Sequence, residues 1–163
     1  MILDGLTALA APWATFYSDH AVVRTGVTFV HVGGLLGSGG LALASDRAIL
    51  RTGPTSDERQ LRLRDLGTTH RPVMAGLSLV VASGLLLLLA DLETYFTSWV
   101  FWTKMVLVLL LLGNGLLLLR AERALERNPD LDTGWPHLRR RAAASISLWV
   151  VITLVGTALV NLS

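Results

Sequence analysis

The chain has 163 residues, 52% of them hydrophobic and 16% charged, and contains no cysteine. This balance is too apolar for an ordinary soluble domain and the length too short for two, while the missing thiols exclude disulfides, thiolate metal centres, iron–sulfur ligation and CxxCH haem attachment. Lys and Arg number 14 against 12 Asp and Glu, but the basic residues are placed as in a membrane protein, so no nucleic-acid partner is expected.

Residues 1–20 lack a basic n-region and are read as structure rather than as a cleaved signal. Ile2, Leu3, Leu6, Leu9, Trp13 and Phe16 can share one side of a short helix. That pattern predicts an interfacial helix on the outer surface. Four apolar runs follow, giving spans at about 22–45, 70–90, 98–120 and 136–160, each near the roughly 20 residues that cross about 30 Å of hydrocarbon. The expected fold is therefore all-α: one integral membrane domain over 1–163, a four-transmembrane-helix bundle with an N-terminal interfacial helix.

Between spans one and two, Thr55-Ser56-Asp57-Glu58 after Pro54 has capping-box spacing and predicts a short helix ending near Gly67. Thr68 or Thr69 would then cap span two, with His70, Arg71 and Pro72 in its first turn. Asp91 and Glu93 mark a short loop before span three. Span three is expected to run on to Arg127, where Asn128-Pro129 stops it. Residues 128–136 read as a second loop, and Pro136 suits the first turn of span four.

Six arginines (Arg47, Arg51, Arg59, Arg62, Arg64, Arg71) lie between spans one and two, and six more (Arg120, Arg123, Arg127, Arg139, Arg140, Arg141) between spans three and four. By the positive-inside rule these segments face the cytoplasm and both termini face outward, as in a multi-pass protein of a bacterial inner membrane. Attraction to anionic lipid is a secondary effect. Tyr17, Tyr95, Phe96, Trp99 and Trp102 would form an aromatic belt at the outer level.

Two ionisable residues fall well inside the spans: His31, and Lys104, the only lysine of the chain. Such groups cost several kcal/mol in hydrocarbon unless paired or hydrated, and so mark sites. At 1.5 Å per residue, His31 lies roughly 13 Å and Lys104 roughly 9 Å below the outer starts of their spans, so they can share a pocket. His70 is on the order of 15 to 20 Å deeper than His31, too far for both to ligate one iron. His31 can serve as axial ligand to a b-type haem iron, or sit hydrogen-bonded to a neighbouring carbonyl or serine. Lys104 can pair with a propionate, a quinone oxygen or an acidic substrate, or snorkel to the outer headgroups. Arg24 is a further candidate for a carboxylate.

His20, Arg24, Thr28, His31, Ser38 and Ser45 form a polar stripe on span one. Gly33, Gly34, Gly37, Gly39 and Gly40 expose its backbone, either to a packed helix or to a flat ligand. Span four carries a comparable row in Ser145, Trp149, Thr153 and Gly156 or Thr157, read as contact between helices. Asn114 reads as a structural hydrogen-bonder. There is no GxSxG, phosphate-binding GxxxxGK or HExxH motif, and no pair of carboxylates within a span, so hydrolase chemistry is not expected. Four spans without acidic residues or broken helices likewise offer no coupling-ion site for transport.

His31-Val32-Gly33-Gly34 followed by Asp46-Arg47, together with Phe101-Trp102-Thr103-Lys104-Met105, resembles a group of small bacterial membrane proteins. That group includes the copper-resistance CopD-type domain and the HemJ-type membrane protoporphyrinogen oxidase, and the likeness covers roughly Arg24 to Arg120. It implies a helical bundle in which a first-span histidine and a third-span lysine, here His31 and Lys104, serve haem or porphyrin binding. The bulkier aromatic stretch expected beside the histidine is replaced here by Gly33 to Gly40. Three functions are therefore carried forward. The first is a b-type haem or porphyrin protein working in electron transfer with quinone or in tetrapyrrole oxidation. The second is a cofactor-free accessory subunit of a larger membrane complex, and the third a copper-related membrane protein, for which Met74 and Met105 offer only isolated ligands.

Overall fold

The computed structural model describes residues 2–53, 55–127 and 131–162, apart from the side chains of residues 2, 56, 70, 131, 132 and 159–162. Six helices follow one another: α1 (Ile2–Asp19), α2 (Ala21–Arg51), α3 (Ser56–Ala90), α4 (Leu92–Thr97), α5 (Trp99–Arg127) and α6 (Leu131–Leu162). Four of them, α2, α3, α5 and α6, are long and apolar enough to cross a membrane. Neighbouring packing runs α3–α2, α2–α6 and α6–α5.

Three buried layers tie the four long helices together. One joins Ile49 of α2, Leu63 and Leu66 of α3, Leu125 of α5, and Trp135, Leu138 and Ala142 of α6. The middle layer holds Leu111, Trp149 and Ile152, with Leu35, Leu43 and Leu77 against them. The third is built on Val100 and Phe101, flanked by Leu88, Tyr95, Met105 and Val155. The C-terminal turns of α2 and α5 meet the N-terminal turns of α3 and α6 in the first layer, so each hairpin is antiparallel. Both arginine-rich segments therefore lie at one end of the molecule.

Several element boundaries differ from the expectation. There is no break at Gly67: α3 runs unbroken through Gly67, Thr68, Thr69 and Pro72. The Thr68 and Thr69 hydroxyls donate to the Asp65 carbonyl within the helix instead of capping a new one. Glycine and threonine are only weak breakers, and packing of the helix on both sides of them decides the outcome. At the start of α3, Thr55 occupies the N-cap, and its hydroxyl donates to the Glu58 carboxylate at 2.7 Å. The loop expected over 128–136 is helical from Leu131, which places Pro136 inside α6 rather than in its first turn. α5 ends at Arg127. Pro54, Asn128, Pro129 and the side chain of His70 lie outside the described residues.

At the opposite end, the segment before α5 contains α4, where Asp91 caps by accepting from the Thr94 amide. α1 rests on α3, with the Trp13 indole donating to the Leu86 carbonyl at 2.8 Å. Leu3, Ala10 and Trp13 turn toward the protein, whereas Leu6, Leu9 and Phe16 of the same apolar set are exposed. The helix thus splits its apolar surface between the bundle and the outside. Phe96 and Trp102 meet edge to face at 5.5 Å, and Trp102 donates to the Phe96 carbonyl. Burial first, then Asp91 and Tyr17 nearby, holds the Tyr95 phenol above its ordinary pKa.

Candidate functional site

His31 stands on the face of α2 that meets α3, half-buried. Its Nδ1 lies 3.1 Å from the Val80 carbonyl oxygen and 3.1 Å from Ser83 Oγ. A carbonyl only accepts, so Nδ1 carries the proton of the neutral ring, and the lone pair belongs to Nε2. Ser83 gives its own proton to the Leu79 carbonyl at 2.6 Å, which leaves its oxygen to receive from the imidazole. The ring is seated against Gly84, where an added Cβ would stand 3.1 Å from His31 Cε1. Two acceptors and a steric stop therefore fix tautomer and orientation together.

Lys104 extends from α5 toward α6, and a Cβ at Gly156 would lie 3.7 Å from its Cε and Nζ. Among the described residues it forms no hydrogen bond or ion pair, although it is within electrostatic reach of His31. The two groups thus approach from opposite hairpins: the imidazole is fastened to α3, and the amine leans on α6. Arg24 does not join them. Its guanidinium donates to the Ser18 carbonyl in the last turn of α1, where a cation satisfies carbonyls left open by the helix end. It is about 10 Å of helix away from His31.

The glycines of α2 divide by role. Gly34 faces Val80, and Gly39 faces the Trp149 ring, with hypothetical Cβ distances of 3.0 and 3.1 Å. Both serve close helix packing. Gly33, Gly37 and Gly40 have nothing within 4 Å of a built Cβ and leave open backbone on the outside of the bundle. In α6, Ser145 and Trp149 are buried toward α2, and Gly156 continues that row to Lys104. Asn114 donates to the Arg141 carbonyl at 3.0 Å, joining α5 to α6.

Sequence reasoning missed a second polar cluster nearer the arginine end. Asp46 of α2 and Glu122 of α5 are 2% and 3% exposed, and the Asp46 carboxylate has Ser145 and Glu122 as neighbours. Asp46 Oδ2 is buried without a hydrogen-bond partner among the described residues. Each residue borders an arginine-rich segment, so in sequence each resembles a hydrated flank; only the packing of α2, α5 and α6 turns them inward. For copper, Met74 is exposed on α3 while Met105 packs in the layer around Phe101. Among the described residues no three His, Asp or Glu side chains gather as a metal site.

No protein-family model, curated protein or solved structure matches this chain.

Proposed function

We propose that this is an integral membrane protein that binds a b-type haem or a porphyrin between its two helical hairpins, in electron transfer with quinone or in tetrapyrrole oxidation. His31 Nε2 would hold the iron of the bound group, and Lys104 would face one of its carboxylates. The observation that carries the reading is the Nδ1 contact with Val80 and Ser83, which fixes the tautomer and aim of a ligating imidazole in the manner typical of metal-binding histidines. Lys104 adds a cation with no protein partner among the described residues, held within electrostatic reach of that ring. Arg24, committed to α1, has no part in the site. When bound, the haem supplies one-electron chemistry; the protein orients the imidazole, excludes water and balances charge.

The arginine-bearing end is assigned to the cytoplasm of a bacterial inner membrane and both termini to the outer side. Visible absorption of detergent-purified protein tests the site. A Soret band with reduced alpha and beta bands is expected, and His31→Ala abolishes it while helical content is retained. Lys104→Ala should keep the band and shift the midpoint potential. A colourless preparation, not reconstituted by added haem or porphyrin, would refute the proposal and favour the accessory-subunit reading.

A further inference from the structure

At the arginine end, the last turns of α2 and the first turns of α3 enclose an open cavity of about 570 Å³. It exists because α2 presents Ala44 and Ala48 there, followed by Thr52 at its C-cap, so no long side chain fills the floor. Arg47 and Arg51, one turn apart, stand along one wall, and Arg62 stands along the other. Three arginines face two carboxylates on the lining, and each acid has a partner of its own. Asp65 pairs with Arg62 at 3.4 Å, and the Glu58 carboxylate receives the Thr55 hydroxyl. Arg47 and Arg51, in contrast, form no hydrogen bond or ion pair among the described residues.

Depth narrows the ligand. Counting about 20 residues of α2 as the hydrocarbon crossing from Ala21 brings the chain to the far interface at about residue 41, so the cavity lies at headgroup level. Leu41, exposed one turn before Ala44 on the same side of α2, gives an apolar border on the membrane side of the cavity. We infer that this cavity is a phosphate-binding site, with Arg47 and Arg51 clamping the phosphodiester of an anionic phospholipid while its acyl chains run past Leu41 into the bilayer. Guanidinium forks suit phosphate oxygens, and a lipid brings both the anion and the apolar surface the border requires.

Native mass spectrometry of the full chain, released from bilayer discs of mixed phosphatidylglycerol and phosphatidylcholine, tests this. The wild type should retain phosphatidylglycerol preferentially. At about fivefold per basic residue, R47Q/R51Q should lower that preference roughly 30-fold. The R64Q/R123Q pair removes the same charge from exposed positions outside the cavity and should leave the preference nearly unchanged, with circular dichroism checking the fold of both. Equal losses in the two double variants would reduce the effect to net charge and overturn the site. Inorganic phosphate, titrated into the wild type, should leave the lipid bound. Saturable displacement of the lipid by phosphate that disappears in R47Q/R51Q would overturn the headgroup assignment in favour of a free anion.

Discussion

A methyl group on Gly76 would sit 2.7 Å from Ser38 Cβ, closer than packed carbons tolerate, at the tightest meeting of α2 and α3. Gly76→Ala should destabilise the purified protein by about 1–3 kcal/mol through overpacking. Gly113→Ala, with open space around its Cβ position, should be neutral or stabilising by up to about 1 kcal/mol, as for glycine within a helix. Denaturant unfolding in detergent followed by circular dichroism separates the two. Asp46→Asn should raise stability by about 1 kcal/mol or more, because the buried carboxylate beside Glu122 gives way to a neutral amide of the same shape. An unchanged or lowered midpoint would count against that account. His31 and Lys104 were legible as special residues because a charge-capable group in an apolar run is visible without a fold. Asp46 and Glu122 were not, since their burial depends on three helices meeting. Nor was the partner of Arg24, a carbonyl at the end of α1 that only the bend between α1 and α2 brings within reach.

At the level of elements, the four long helices followed from apolar runs of membrane length, and the placing of both arginine-rich segments at one end from the positive-inside rule. The internal extent of α3 did not. Gly67 and the threonines after it read as punctuation, but the Asp65 carbonyl takes both threonine hydroxyls along an unbroken helix. A substitution distinguishes the alternatives. Gly67 is helical with free space at its Cβ position, so Gly67→Ala should stabilise by about 1 kcal/mol; a glycine-dependent turn there would make the same change destabilising. Pro72 removes one amide from α3 and leaves the Thr68 carbonyl without its helical donor, so Pro72→Ala should tighten that turn, as measured by slower amide exchange around Thr68. α4 escaped notice because six residues carry too little periodicity, and the Asp91 cap is its only local mark.

Across the whole molecule, burial is uneven in a way that fits two solvents. Trp135, Ile49, Leu138 and Ala142 at the arginine end are 0–2% exposed, whereas Phe29, Leu36, Leu79, Val106, Leu109 and Leu154 along the long helices are more than half exposed. Water forces apolar side chains inward; lipid does not. Trp135→Ala is therefore expected to cost about 3–5 kcal/mol, while Leu109→Ala should remain within about 0.5 kcal/mol, both read from thermal unfolding. Native thiols are absent, so single cysteines report topology cleanly. Asp91→Cys should react with an impermeant reagent on intact cells and Arg64→Cys only after permeabilisation; the reverse pattern would invert the assigned orientation. One mechanical consequence follows from how α2 and α3 interlock at Ser38 and Gly76 while Trp149 of α6 is seated in the notch at Gly39. The α2–α3 pair carries the imidazole, and α5 with α6 carries the amine. Any rotation of one pair against the other about the tryptophan would therefore change the gap between those two nitrogens.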